Sequence, residues 1–290
     1  MRIAVHGRTI RSGAVPGVQL IFNKLGSYEV DLLLSEAFKE ELDGARVEAG
    51  AHRTFAGSDD LAADVVLSIG GDGTLLETVA LVGAKQIPIM GVNIGRLGFL
   101  AAISHEQVDE ALAQIMEGYY EYDRRTLVRL ESNQPLFGGL NFGLNEFTIL
   151  KRDTSSMITV HTYINGEYLN SYWADGLIVA TPTGSTGYSL SCGGPLVLPE
   201  SENFIISPVS PHHLNVRPMV VSDTSVISFE IEGRNRNFLV SLDSRSETVD
   251  ADIQLAVRKE DFHVKLIRLN GHNFLRTLRS KMNWGYDFRN

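Results

Sequence analysis

The chain has 290 residues, 43% of them hydrophobic and 21% charged, with a net charge of −9. That length and balance supply core for two modest soluble domains or one large one, and the negative charge argues against an indiscriminate binder of phosphate backbones. The one cysteine, Cys192, excludes an internal disulfide and a cysteine-built zinc site, and no stretch has the length of a signal core or a membrane span. The expectation is a cytoplasmic protein without nucleic-acid or membrane partners.

In chain order, "RIAVHG" reads as a strand ending at Gly7, and "VDLLLSEAFKEELDG" as helix formers stopping at Gly44. "DVVLSIGG" is a continuous apolar run of the kind buried on both faces of a parallel sheet. The following "TLLETVALVG" puts Leu76, Val79, Ala80 and Gly83 on one helical face, and "IPIMGVN" is another short buried strand. "SHEQVDEALAQIMEG" opens with a capping box from Ser104 to Gln107 and closes at Gly118. Strands alternating with helices predict a doubly wound, Rossmann-like α/β domain.

Beyond residue 126 the period changes. "TLVRLES", "NEFTILK", "MITVHTYINGEYLNSYWADGLIVAT", "SVISFEIEG", "NFLVSLDS" and "QLAVRKEDFHVKLIRL" are short, β-branched and often alternating, and Asn165-Gly166 marks a type I′ hairpin. This half reads as an all-β, sandwich-like domain without a helix of three turns. The expected division is 1–125 with about 267–290 as the α/β domain and 126–266 as the β-rich domain. The amphipathic tail "HNFLRTLRSKMNWGYDF" is expected to return to the first domain.

Four constellations carry chemistry. "GGDGT" at 70–74 follows a buried strand and opens a helix, where glycines admit a phosphate and free amides favour an anion. An acid there is costly beside phosphate unless it works on a proton or metal; the alternative is that Asp72 only caps the helix. "GVNIGRLGFLA" at 91–101 is a second ligand-facing loop or a glycine-rich crossover, with Asn93, Arg96 and Phe99 as its notable side chains. Asn145 and Glu146 open a strand, either as a solvated strand end or as a pair for a ribose's vicinal hydroxyls. "ADGLIVATPTGSTGYSLSCGGPLV" at 174–197 is dense in hydroxyls and lacks the charges of a solvated turn. No HExxH or His-x-His occurs, and "SPHHLNVRP" reads as a structural turn.

In this order and spacing the segments resemble the NAD kinase family: "GGDGT" at 70–74, "NE" at 145–146, "DGLIVATPTGSTGYSLSCGGP" at 175–195 and "PHHLNVRP" at 211–218. The long second-domain segment is the specific one, since GGDGT also occurs in diacylglycerol-type lipid kinases and, in related form, in phosphofructokinases. The resemblance implies transfer of the γ-phosphate of ATP, with Mg²⁺ or another divalent cation, to the adenosine 2′-hydroxyl of NAD, at a site between the domains. It makes Asp72 the general base and Gly70, Gly71, Gly73 and Thr74 the frame of the phosphates. Phe99 then belongs to the adenine side, Asn145 and Glu146 to the ribose, Asp175 to the nicotinamide side, and Thr186, Gly187, Tyr188, Ser189 and Ser191 to the loop around the dinucleotide. Asp72, Gly73, Ser156, Trp173 and Arg245 complete the implied NAD contacts, and no side chain of the chain is assigned as a metal ligand. Trp173 stands where a charged residue is usual, Arg245 where His or Gln is frequent, and His213 where Ser or Thr is. Family members are dimers or tetramers, so a homodimer or homotetramer is implied. The alternatives are a lipid or other small-molecule kinase sharing only GGDGT, and a non-catalytic dinucleotide-binding regulator.

Overall fold

In the computed structural model the described residues are 1–95, 98–152, 156–234, 236–271 and 273–282. The chain forms two compact units, Met1–Arg124 with Val264–Asn290, and Arg125–His263.

The first unit is built on strands β1 (Arg2–Gly7), β2 (Asp31–Ser35), β3 (Arg53–Phe55), β4 (Val65–Gly70) and β5 (Ile89–Asn93), parallel in the order β3-β2-β1-β4-β5. The apolar runs predicted as buried strands are buried because helices flank the sheet. Val65, Leu67 and Ile69 of β4 share a core with helices α1 (Val15–Leu25), α2 (Glu36–Ala45) and α4 (Val108–Glu117), to which they contribute Ile21, Phe38 and Leu112 among others. On the opposite face of β4, Ser68 accepts a hydrogen bond from Thr78 of α3 (Asp72–Val82) at 2.8 Å. The order reverses between β1 and β4, so their carboxyl ends, Gly7 and Gly70, flank the crevice where open α/β sheets take ligands.

Three local expectations change. "VDLLLSEAFKEELDG" is a strand and then a helix: Leu32–Leu34 extend the sheet beside β1, and Ser35 caps α2 by accepting the Phe38 amide. That helix runs through Gly44 and ends at Arg46, whose φ of 57° terminates it. The buried face of α3 is Leu75, Thr78, Val79 and Val82, one step round from the predicted stripe, because Thr78 must meet Ser68. Finally, "QLAVRKEDFHVKLIRL" divides between the units: its last strand, Val264–Leu269, pairs parallel with β5 in the first sheet. The capping box at Ser104 and Gln107 forms as read, and Gly118 ends α4 at φ 77°.

The second unit stacks two six-stranded sheets. One runs in the order Met219–Ser222, Asn203–Val209, Gly176–Ala180, Glu146–Lys151, Asn237–Leu242, Arg245–Asp250; the other in the order Glu167–Ala174, Ile158–Ile164, Ile227–Glu232, Leu255–Lys259, Val128–Ser132, Phe142–Gly143. Alternate residues of both inner faces form one core, with Phe147 and Phe229 ring centroids 5.8 Å apart. Asn165 and Gly166 both adopt positive φ, 53° and 83°, as a type I′ turn requires. Tyr188–Ser191 is the longest α-helix among the described residues of this unit. No helix among the described residues is long and apolar enough to cross a membrane.

Candidate functional site

In the first unit the chain leaves β4 at Gly70, turns at Gly71 and enters α3 at Asp72. The carboxylate is held from across the sheet edge: Oδ2 accepts the Phe99 amide at 2.8 Å, and Oδ1 accepts the Leu100 and Ala101 amides at 3.0 Å each. Three amides from another loop thus hold the side chain, which goes beyond a helix cap. A Cβ on Gly98 would lie 1.9 Å from Asp72 Oδ1, and one on Gly70 would lie 2.2 Å from Thr74 Oγ1, so both glycines are required by close approach. A carboxylate offers about four lone-pair positions. Among the described residues three are taken, which leaves one on Oδ2.

Beside this turn lies a cleft of about 230 Å³ at the carboxyl ends of β1, β4 and β5. Gly70, Gly71 and Thr74 form one wall, Asn93 and Gly95 another, and Arg8 and Arg11 bring positive charge. Asn93 Oδ1 accepts the Gly95 amide at 2.7 Å, which shapes that wall. Arg96, singled out in the sequence, lies outside the described residues. Arg8 pairs with Glu77 at 2.8 Å, where burial pushes the Glu77 carboxyl up and the Arg8 charge opposes it. Sequence reasoning passed over Arg8 and Arg11; the available signal was two arginines following a strand that ends in glycine, at the same sheet edge as GGDGT. Phe99, partly buried, packs 6.5 Å from the Phe274 ring of the tail helix Phe274–Met282, with Lys281 Nζ 5.4 Å from its centroid.

In the second unit, Asn145 and Glu146 sit where the Glu146–Lys151 strand begins. The turn 183–191 packs onto them: Thr181 donates its amide to Asn145 O at 2.8 Å, and a Cβ on Gly184 would lie 2.1 Å from that oxygen. The Tyr188 backbone amide favours the charged form of the nearby Glu146 carboxyl, whose buried Oε2 has no hydrogen-bond partner among the described residues. Burial, reinforced by the Asp243 charge, pushes Glu146 up to about 8. Thr186, Gly187 and the half-exposed Tyr188 thus gather around Asn145 and Glu146. Ser191 is exposed on the same short helix.

Other predicted residues are placed differently. Ser189 is fully buried and its hydroxyl pairs with Ser207 at 2.9 Å, so its side chain supports the turn. The Arg245 guanidinium donates to Leu140 O and Phe142 O and lies over the Phe137 and Phe142 rings. These contacts all lie within its own unit. Asp175 forms an ion pair with Lys151 at 2.6 Å, at the far end of the strand from Glu146. Glu146 is paired with Ala180, five residues after Asp175, a separation of about 16 Å along a strand. Trp173, near Asp175, stacks on His212 with ring centroids 4.3 Å apart, and Ser156 is partly buried ahead of the Ile158–Ile164 strand.

A parallel α/β unit with an anion-binding turn and a β unit with a carboxylate–amide pair define a two-domain protein of the nucleotide-handling class. Residues 27–120 match the model of the ATP-NAD kinase N-terminal domain, and residues 144–269 that of the ATP-NAD kinase C-terminal domain. The chain is 54% identical to the NAD kinase of Cytophaga hutchinsonii over 100% of both chains, and 42% identical to that of Flavobacterium psychrophilum over the same share. It belongs to the NAD kinase family. Among solved structures, an NAD kinase from Archaeoglobus fulgidus in complex with ATP is 29% identical, with a TM-score of 0.75 over 98% of this chain and 99% of that one. The fold also matches yeast NADH kinase complexed with NADH, with a TM-score of 0.89 at 21% identity over 100% of this chain and 89% of that one.

Proposed function

We propose that this chain is an ATP-dependent NAD kinase in which Asp72 accepts the proton of the adenosine 2′-hydroxyl. Membership of the family supplies the reaction. The residue assignment is carried by one observation: a carboxylate held by three amides on the residue that directly follows Gly70 and Gly71 of the cleft wall. A ribose hydroxyl is a poor nucleophile at neutral pH, so an aligned base is the help it needs. As the 2′-oxygen bonds to Pγ, its proton passes to Asp72 Oδ2, the Pγ–O bond to the β-phosphate breaks, and ADP leaves. Gly70, Gly71, Gly73 and Thr74, with Arg8 and Arg11, hold the triphosphate through the amides of the α3 N-terminus and the two guanidinium groups. Asn145 and Glu146, ringed by Thr186, Gly187 and Tyr188, take the dinucleotide's ribose hydroxyls.

Among the described residues no three carboxylate, histidine or cysteine side chains converge on a metal-sized site. A divalent ion accompanying ATP is carried on nucleotide oxygens, the usual arrangement for Mg²⁺ in kinases. Such an ion neutralises charge developing on the phosphates. The working form is a homodimer or homotetramer: Trp173 and Asp175, a strand's length from Glu146, serve the dinucleotide of a neighbouring copy. The setting is the cytoplasm.

The test is NADP formation from NAD and ATP with Mg²⁺ by the purified protein, with a lipid acceptor as comparison. The expected result is NADP and no lipid phosphate. NAD binding without turnover would favour a non-catalytic regulator and overturn the kinase reading.

A further inference from the structure

Asp243 lies outside every motif that identifies the family-like segments, yet more of the Asn145–Glu146 turn hangs on it than on any residue of those segments. It is the first residue of the two-residue turn between the strands Asn237–Leu242 and Arg245–Asp250, at φ 52°. Its Oδ2 accepts the Leu144 amide at 2.8 Å; its Oδ1 accepts the Asn145 amide at 2.7 Å and the Glu146 amide at 3.2 Å. Its own amide donates to Glu146 O at 3.1 Å. A Cβ on Gly143 would approach Oδ1 to 3.1 Å, so the glycine gives the carboxylate room. The neighbouring Glu146 Oε2 is buried without a partner, and a Cβ on Gly187 would stand 3.0 Å from it.

We propose that Asp243 is a positioning residue for the dinucleotide: it fixes the 144–146 turn through three successive amides and so sets the Asn145 and Glu146 side chains for a ligand's hydroxyls. The inference rests on Asn145 and Glu146 being the ribose site. Two buried carboxyls so placed do not both ionise at neutral pH, and the three amides decide which one carries the charge. Burial pushes the Asp243 carboxyl up, and three amides with the field of Arg245 oppose that; on Glu146 burial and the Asp243 charge are opposed only by the Tyr188 amide. Burial and the Asp243 charge push Glu146 up to about 8, so Glu146 keeps its proton at pH 7. The Arg245 guanidinium is directed to Leu140 O and Phe142 O, and the charge felt by Glu146 is that of Asp243.

The experiment is calorimetric titration of the intact protein with NAD between pH 6 and pH 9.5, independent of turnover. The wild type is expected to bind with constant affinity below about pH 8 and to weaken toward tenfold per pH unit above it. Glu146→Gln, a permanent donor, should bind with no alkaline fall. Asp243→Asn should bind more weakly at every pH, with the midpoint of its fall moved to lower pH, because the repelling charge is gone. A uniform loss in Asp243→Asn with an unmoved midpoint would reduce the residue to scaffold and overturn the proposal, as would a flat wild-type profile. If Asp243→Asn does not fold, an alkaline fall persisting in Glu146→Gln overturns it equally. Unchanged NAD binding across the whole pH range in Glu146→Ala would instead remove the ribose-site reading on which the proposal stands.

Discussion

Two carboxyl sites, one in each unit, are built on opposite electrostatic plans. Asp72 is surrounded by donors: three amides from Phe99–Ala101 converge on it, and it works beside a cleft lined by Arg8 and Arg11. Glu146 is surrounded by burial and a like charge, has one amide, and leaves Oε2 without a partner. The first environment offers three donors to one carboxyl, and the second favours a neutral carboxyl. The difference teaches that a carboxyl's role is set by the backbone amides aimed at it, and each prediction below is a way to blur or exaggerate that contrast.

The largest effect is expected from Asp72→Asn. The amide keeps the shape and removes the proton acceptor, so turnover should fall by about 10²–10⁴-fold while NAD binding persists. Near-normal NADP formation by that variant would end the base assignment. Gly98→Ala attacks the same carboxylate indirectly, since its methyl would stand 1.9 Å from Oδ1 and must displace either the side chain or the loop. Overpacking of this kind costs about 1–3 kcal/mol. We expect a lowered melting temperature and at least about tenfold slower turnover, with the NAD dissociation constant changed less than the rate; a variant with wild-type kinetics would show that the cradle is dispensable.

These two predictions mark how far the site was legible in sequence. Gly70, Gly71 and Asp72 could be read as an anion-binding turn because a strand, glycines and a helix start are local features. The alternating half was read as β-layered for the same reason, and the two stacked sheets bear that out. The amides that hold Asp72 come from residues 27 to 29 positions downstream, and Asp243 grips Asn145 from 98 positions away. No period or spacing encodes such contacts. Arg8 and Arg11 were missed likewise, because only the parallel order of β1 beside β4 brings them to the glycine loop. Ser189 shows the same limit from the other side: nothing in the polar run signals that its hydroxyl pairs with Ser207, 18 positions downstream.

Glu146 also leaves a mark on stability. Its folded value, about 8, lies above the ordinary value of 4.5, so the native state holds a proton that the unfolded chain releases. Stability from this group is therefore fully present below about pH 4.5 and is lost progressively up to about pH 8. Glu146→Gln should remove that slope, and the gap between variant and wild-type melting temperatures should widen in the variant's favour from pH 5 to pH 8. A constant gap across that range would mean that Glu146 is ionised in the folded protein.

The smallest effect is expected at Arg8. Its side chain is 63% exposed and its partner Glu77 is only partly buried, so the pair contributes little to stability and Arg8→Ala should melt within about 1 kcal/mol of wild type. Its place on the cleft wall predicts a binding effect instead. Charge-assisted contacts to phosphate are worth more than neutral ones, but an exposed guanidinium is screened, so KM for ATP should rise only about threefold to tenfold. Raising the salt should shrink the difference between variant and wild type, because what was removed is a screened charge. KM for NAD should stay put. If the variant changed KM for NAD and left that for ATP alone, Arg8 and its cleft would belong to the dinucleotide, and the assignment of donor and acceptor to the two units would have to be redrawn.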